Sequence, residues 1–194
     1  MDNKFAGRKE EIVVTALRII AVEGMQRLTM KNIAGRIGIS DAALYRHFDC
    51  KRDILRGVIC HVGEQLFSRI SRAAVEISDP VEKLREILRI HFSHIRQHQG
   101  LPRMLFSEAV HQNDPELRSL FLSTVNRNLE LIRSILENAR ELGKVREDLD
   151  IESAALAFFG LVQSAALLWS LSDFKSGAIQ EADAMFEVFV RGLD

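Results

Sequence analysis

Apolar positions recur at helical spacing along almost the whole chain. The first stripe predicts a helix from about Gly7 to Glu23, with Gly24 placed to end it. A second stripe, from Leu55 to Ile77, predicts one long, continuous helix from about Cys50 to Ile77. With only 3 prolines and 1 tyrosine in 194 residues, this periodicity predicts an all-α protein.

Turn residues divide the second half of the chain into further helices. Asp79-Pro80 and Asp114-Pro115 each pair an N-cap with a proline suited to the first helical position, so they should begin helices five and seven. Gly100 and Pro102 interrupt the pattern and leave a short sixth helix. The expected bounds are 102–111 for helix six, 115–142 for helix seven, 150–171 for helix eight and 178–191 for the last, about nine helices in all.

The stretch from Thr29 to Lys51 has the pattern of two short helices joined by a glycine turn. Thr29 can cap the first helix, with Leu28 and Ile33 spaced for a hydrophobic staple. The second helix repeats the pattern with a glycine turn, a serine cap and a second staple, at Gly38, Ser40, Ile39 and Leu44. This spacing predicts a helix-turn-helix, although an ordinary helical hairpin with a polar surface has similar apolar spacing.

The run G-I-S-D-A-A-L-Y-R-H-F followed by Lys51 closely resembles the DNA-binding signature of the tetracycline-repressor (TetR) family of bacterial regulators. The close match spans about Glu10 to Leu55. The resemblance implies a TetR-like fold, with a three-helix DNA-binding head at residues 1–54 and a ligand-binding, dimerising bundle at residues 55–194. It also implies that the fourth helix transmits ligand binding from the body to the head.

The same resemblance assigns DNA contacts position by position. Hydroxyls and an ammonium group near helix N-termini suit phosphate oxygens, which implies backbone contacts at Thr29, Ser40, Tyr45 and Lys51. The expected contacts to base edges or the adjoining backbone are Lys31, Asp41, Ala42, Arg46 and His47. The alternative for Tyr45 is a place in the core.

Charge is distributed unevenly along the chain, although the net charge is only −1. Residues 1–60 contain 11 Lys and Arg against 7 Asp and Glu, a surplus of four positive charges, and the remainder contains 15 against 20. Phosphate attraction acts over about one Debye length, roughly 10 Å, so the acidic second half does not exclude DNA binding. Lys4, Arg8 and Lys9 form either a basic arm that touches phosphates or a solvated terminus.

The predicted eighth helix is apolar on both of its sides, so it needs two packing partners. One partner can be the rest of the body and the other a second subunit, which predicts a homodimer. We assign the seam to one side of this helix and to two phenylalanines of the last helix: Ala155, Phe159, Val162, Ala166, Trp169, Phe186 and Phe189. The other side contains Leu156, Gly160, Leu161, Leu167, Leu168 and Leu171.

The location expected from the sequence is the cytoplasm. A membrane span at residues 153–171 is the alternative reading of the apolar helix, but Gln163, Ser164 and Ser170 argue against it. Cys50 and Cys60, if on one helix, would lie roughly 15 Å apart, which is too far for a disulfide. The N-terminus has no apolar signal core.

Aromatic bulk in helices five to eight exceeds what helix packing needs, and the resemblance implies a pocket there for a small apolar or amphipathic ligand. The predicted pocket residues are His91, Phe92, Met104, Phe106, Phe121, Phe158, Phe159 and Trp169. Ligand binding should favour a dimer state whose heads are misplaced for the operator.

Two other functional classes are alternatives to this regulator. His91, His94 and His98, with Glu108 and His111 on the next helix, would suit a metal-responsive regulator, although one zinc ion could bind only a neighbouring pair of the trio. No phosphate-binding glycine loop, nucleophile elbow or paired-carboxylate motif is present, so neither catalysis nor a cofactor is expected. The sequence therefore predicts a homodimeric, ligand-released repressor of a palindromic operator, with a helical small-molecule-binding or adaptor protein that does not bind DNA as the alternative.

Overall fold

The computed structural model describes residues 2–107 and 114–193, and within these residues it contains nine α-helices and no strand. This confirms the all-α prediction. The helices are α1 (Asp2–Glu23), α2 (Met30–Ile37), α3 (Asp41–Tyr45), α4 (Lys51–Glu76), α5 (Pro80–Gln97), α6 (Gly100–Leu105), α7 (Pro115–Glu141), α8 (Ile151–Leu171) and α9 (Ala182–Val190).

Aspartate caps begin α5, α7 and α8 where the sequence predicted them. The Asp79 carboxylate accepts a hydrogen bond from the backbone N–H of Val81 at 2.9 Å, and the Asp114 carboxylate accepts one from Glu116 at 3.0 Å. Asp150 caps α8 in the same way. Each cap satisfies N–H groups that have no partner within the helix, so these starts are decided locally.

Three helices differ from their predicted bounds, and the first of them is α1, which begins at Asp2 rather than at about Gly7. Helix α6 begins at Gly100, two residues before the predicted start, and its predicted end at His111 lies outside the described residues. The last predicted helix is divided into a 3₁₀ turn, Gly177–Gln180, and α9. Ser176 caps that turn through the backbone N–H of Ala178, and the turn buries Ile179, which is only 1% exposed.

The chain forms two compact units, each with its own apolar core. The first unit comprises residues 1–64 and 98–122, and the second comprises residues 65–97 and 123–194. The first core joins residues of α1 to α4 with Met104 of α6 and Leu117 of α7. The first unit thus contains more than the head of residues 1–54 that the sequence predicted.

Within the first unit, α6 packs directly on the backbone of α1. A Cβ atom at Gly100 would lie 2.2 Å from the carbonyl oxygen of Leu17, so only glycine allows this approach. Next to this contact, the Arg103 guanidinium donates a hydrogen bond to the Ala21 carbonyl at 2.7 Å. Helix α6 therefore belongs structurally to the first unit.

The second unit is built around α5, α8 and α9. Phe92, Phe158 and Phe186 are its largest fully buried side chains. Arg85 lies with its guanidinium carbon 4.6 Å from the centre of the Phe186 ring and forms an ion pair with Glu187 at 2.8 Å, which ties α5 to α9. Helix α8 is long and apolar enough to cross a membrane, yet in this structure it is a core helix of the second unit.

Candidate functional site

The helix-turn-helix forms through the local contacts that the sequence predicted. The Thr29 hydroxyl accepts a hydrogen bond from the Asn32 N–H at 3.1 Å, and the Ser40 hydroxyl accepts one from the Ala43 N–H at 3.2 Å. Gly38 adopts a left-handed conformation with φ of 76° between the two helices. Both caps and the glycine turn are confirmed.

Apolar contacts beneath this motif hold α2 and α3 at a fixed angle. Leu28, Ile33 and Leu44 are fully buried in the core of the first unit, and Ala34 is 1% exposed. Three of the four predicted staple residues, Leu28, Ile33 and Leu44, are thus core residues, and the fourth, Ile39, is half-buried against the same core. The short α3, which has only five residues, depends on this packing for its stability.

The outer side of α2 and α3 presents most of the predicted DNA contacts to solvent. Tyr45 is 50% exposed, which argues against its alternative reading as a core residue. Seven predicted residues are exposed, namely Thr29, Lys31, Ser40, Asp41, Ala42, Tyr45 and Arg46. His47 and Lys51 are half-buried. The structure thus brings all nine onto one small motif, and their contacts with DNA stay predictions.

The start of α4 is tied to its surroundings by side chains on either side of Lys51. The Lys51 ammonium donates a hydrogen bond to the Met25 carbonyl at 3.3 Å, so its position is set by the turn that follows α1. Arg52 forms an ion pair with Asp114 at 2.7 Å and another with Glu116. Cys50 precedes the helix, and its thiol lies 3.4 Å from the Asp53 carboxylate. Two different elements of the first unit therefore fix the first turn of α4.

Positive charge concentrates around His47. Burial is the largest cause that lowers the pKa of His47, and the charges of Lys9, Arg46 and Arg8 lower it further. The Lys9 ammonium also lies 5.8 Å from the centre of the Phe48 ring. Arg8 and Lys9, which the sequence left undecided between a basic arm and a solvated terminus, thus contribute to the field beside α3. A protein surface with such a field attracts phosphate.

The predicted ligand-pocket residues are distributed between the two units. Four of them pack in the core of the second unit, namely Phe92, Phe158, Trp169 and the half-buried Phe159. His91 is buried in the same unit. Met104 and Phe121 belong to the core of the first unit, and Phe106 is 46% exposed. The eight residues therefore belong to both units, and their role as a pocket stays a prediction.

His91 is a buried histidine in the second unit, with only 4% of its surface exposed. Its Nδ1 lies 2.8 Å from the Ile87 carbonyl and donates to it, which makes Nε2 the acceptor of the neutral ring. Burial lowers the pKa of His91, and the hydrogen bond to Ile87 opposes this shift. Among the described residues no group of three His, Cys, Asp or Glu could hold a metal ion. Glu108 and His111 lie outside those residues.

Most residues of the predicted dimer seam lie in the core of a single protomer, and their role in dimerisation stays a prediction. Ala155, Val162, Ala166, Trp169 and Phe186 are at most 5% exposed and belong to the core of their own protomer, so they have little surface left for a second subunit. Phe159 and Phe189 are half-buried against the same core. On α8 and α9, the exposed large apolar residues are Leu156 (63%), Leu167 (38%), Leu168 (55%), Leu171 (74%) and Val188 (73%), and those of α8 lie on its other side.

Comparison with known proteins gives two family matches that together span most of the chain. Residues 12–58 match the family described as bacterial regulatory proteins, tetR family, and residues 62–192 match the C-terminal region of YsiA-like proteins. The nucleoid occlusion factor SlmA of Vibrio atlanticus (strain LGP32) is 30% identical over 184 residues, which is 92% of each chain.

Two solved structures share both fold and sequence with the chain. The regulator FadR from Bacillus subtilis, in complex with stearoyl-CoA, has a TM-score of 0.79 and 25% identity, and the match covers 95% of this chain and 99% of that one. The TetR family regulator PfmR from Thermus thermophilus has a TM-score of 0.80 and 26% identity, with 94% and 98% of the two chains covered.

Proposed function

This chain belongs to the TetR family of bacterial regulatory proteins, and we propose that it is a cytoplasmic, homodimeric repressor that leaves a palindromic operator when an amphipathic small molecule binds its body. The observation that supports this most strongly is the exposed outer side of α3. Tyr45 and Arg46 project from a short helix whose inner side is fully buried, beside the positive field around His47. Such a helix fits the major groove, where it meets both base edges and phosphates.

Each contact set has a distinct expected role. Arg46 has a guanidinium suited to bidentate contact with guanine, so it should specify sequence. Lys51 and Tyr45 should bind phosphates without regard to sequence. Because a dimer places two heads on one DNA face, its half-sites should lie about one helical turn, roughly 34–36 Å, or somewhat more apart.

The experiment that tests DNA binding is selection of bound fragments from the source genome, followed by titration of the selected operator. Lys51→Ala should weaken binding to all fragments and reduce the salt dependence, whereas Arg46→Ala should cost about 1–3 kcal/mol and relax base preference at one position. Arg72→Ala is the matched control, because Arg72 is an exposed arginine of α4 in the second unit. If no fragment is retained at moderate salt, the chain is instead a helical binding or adaptor protein.

We infer that the dimer forms through the exposed side of α8. Leu156, Leu167, Leu168 and Leu171 follow one another along that side, and only 39% of the most apolar window of α8 is buried. Gly160 lies among them, and a Cβ atom there would meet nothing within 4 Å, so the protomer itself does not require glycine at this position. A close approach by a second copy of α8 would give glycine a role.

The dimer face is tested by introducing a charge. Leu168→Glu should convert the dimer to a monomer in sedimentation, because a carboxylate would have to be desolvated in an apolar interface. Val75→Glu is the control, since Val75 is 85% exposed on α4 and lies outside the proposed face. A dimer that survives Leu168→Glu at micromolar concentration would contradict this interface.

The effector we propose is a long-chain acyl thioester of coenzyme A, because the FadR relative was solved with stearoyl-CoA. Its apolar tail suits a body with abundant aromatic side chains, and α4 is the element we expect to transmit binding. The ligand must then lower the affinity for the operator by the same factor by which the operator lowers the affinity for the ligand. Each 1.4 kcal/mol of coupling free energy changes either affinity about tenfold.

A further inference from the structure

A groove with a volume of about 360 Å³ lies in the second unit along α5. Its walls come from α4, α5, the 3₁₀ turn and α9, and its lining includes Arg69, Arg89, Arg96, Ile90, Ile179 and Gln180. This volume lies at the lower end of the range of small-molecule sites, which is roughly 300–1,000 Å³. The groove is therefore large enough for the polar end of a ligand.

The three arginines of the groove differ in their partners. Arg89 forms an ion pair with Asp183 at 2.8 Å and a longer one with Glu86 at 3.5 Å, so its charge is largely neutralised. Arg69 donates to the neutral oxygens of Ser93 and Gln97, both at 3.4 Å, which is long for a hydrogen bond. Arg69 therefore keeps most of its capacity to bind an anion.

Arg96 is exposed at the same groove. In the part of the chain that the structure describes, no carboxylate forms an ion pair with Arg69 or with Arg96. The lining thus contains three arginines against two acids, Glu86 and Asp183, and both acids are engaged by Arg89. The uncompensated charge lies at Arg69 and Arg96.

The lining of the groove also includes buried apolar side chains. Ile90 is 8% exposed and Ile179 is 1% exposed, so the arginines lie beside side chains that exclude water. Charge–charge attraction is stronger next to such a surface than in bulk water. Guanidinium groups supply paired N–H donors in a fork that matches the oxygens of phosphate.

We propose that this groove binds the phosphate group, as a phosphate ester or diphosphate, of the effector that releases the protein from its operator. The inference rests on the proposed function, because it concerns the polar end of the same amphipathic ligand. Arg69 from α4 and Arg96 from α5 supply the phosphate contacts, while Arg89 holds α9 against α5 and so keeps the groove in shape. Binding then bridges α4, the helix expected to transmit the signal, to α5.

The test is calorimetric titration of the full-length protein with adenosine 3′,5′-bisphosphate and, separately, with inorganic pyrophosphate. The wild type should bind at least one of the two, and Arg69→Gln and Arg96→Gln should each weaken that binding about tenfold, since each removes a charge-assisted contact. Arg72→Gln, which removes an exposed α4 arginine that does not line the groove, should leave it unchanged. Circular dichroism confirms that each variant is folded. Preference for the bisphosphate indicates a nucleotide-like ligand, and preference for pyrophosphate indicates a simpler phosphate.

Three results would overturn the inference. The first is failure of the folded wild type to bind either probe. The second is an equal loss of binding in the Arg72→Gln variant, which would indicate attraction by overall charge. The third is a loss of operator affinity in Arg69→Gln as large as the loss of anion affinity, which would assign the groove to DNA phosphates. Operator retention is measured without these probes, so failure here leaves the DNA-binding proposal standing.

Discussion

Gly100 is the position where one added methyl group should damage the first unit most. An alanine Cβ would lie 2.2 Å from the Leu17 carbonyl oxygen and 3.2 Å from the Ala21 backbone nitrogen. Both neighbours are backbone atoms of α1, so no side chain can rotate away. Restoring ordinary contact requires α6 to move from α1 by about 1 Å, and overpacking of this kind costs about 1–3 kcal/mol. The displacement also strains the bond from Arg103 to the Ala21 carbonyl.

The assay is urea denaturation of Gly100→Ala followed by far-ultraviolet circular dichroism. Gly35→Ala is the control, because Gly35 lies within α2 and a Cβ atom there meets nothing within 4 Å. Alanine has the higher helix propensity, so the control should gain about 0.5–1 kcal/mol while Gly100→Ala loses about 1–3 kcal/mol. If both variants gain stability, the close packing of α6 on α1 is not as described.

Three further predictions concern the second unit and its connections. Asp150→Ala should lower the free energy of unfolding by about 1 kcal/mol in urea denaturation, because the cap at the start of α8 is lost. Glu147→Ala, in the connector that precedes α8, is the control and should change this free energy little. Burial lowers the pKa of His91 below its ordinary value of 6.5. As the pH falls, His91 therefore takes up a proton in the unfolded chain before it does so in the folded protein. The free energy of unfolding should then decrease as the pH drops below 6.5. Denaturation across pH 7 to 5 should therefore show a shallower loss of stability for His91→Gln than for the wild type, and an unchanged slope would contradict this assignment. Finally, Trp169 fluorescence should change when palmitoyl-CoA is added. Palmitoyl-CoA should weaken operator binding by some factor, and operator DNA should weaken palmitoyl-CoA binding by the same factor. Two unequal factors would refute the coupling.

The caps show what short segments of sequence decide. Thr29, Ser40, Asp79, Asp114 and Asp150 each satisfy backbone N–H groups two or three residues further along, so the donors and acceptor lie in one short segment. The conformation of Gly38 is likewise a property of one residue. Because these interactions close within a few residues, the sequence predicted the helix-turn-helix, the all-α class and most helix starts.

The two sides of α8 show where the sequence pattern is insufficient. Apolar residues cover both sides, and periodicity alone cannot say which side faces the protomer's own core. Packing against α5 and the 3₁₀ turn buries the side of Ala155 and Val162 and leaves the side of Leu156 and Leu168 exposed. The choice depends on contacts between residues far apart in the chain, and this is why we propose the opposite side of α8 for the dimer contact.

The same reason explains the other features that the sequence alone could not give. The glycine at residue 100 reads as a simple helix break, and only the approach of α1 shows that it is a packing requirement. Arg69 and Arg96 lie 27 positions apart on different helices, so no motif joins them into a groove. Interactions within one helical turn were thus determined by the sequence itself, whereas the core side of α8, the place of α6 and the charge of the groove were decided only when distant helices packed together.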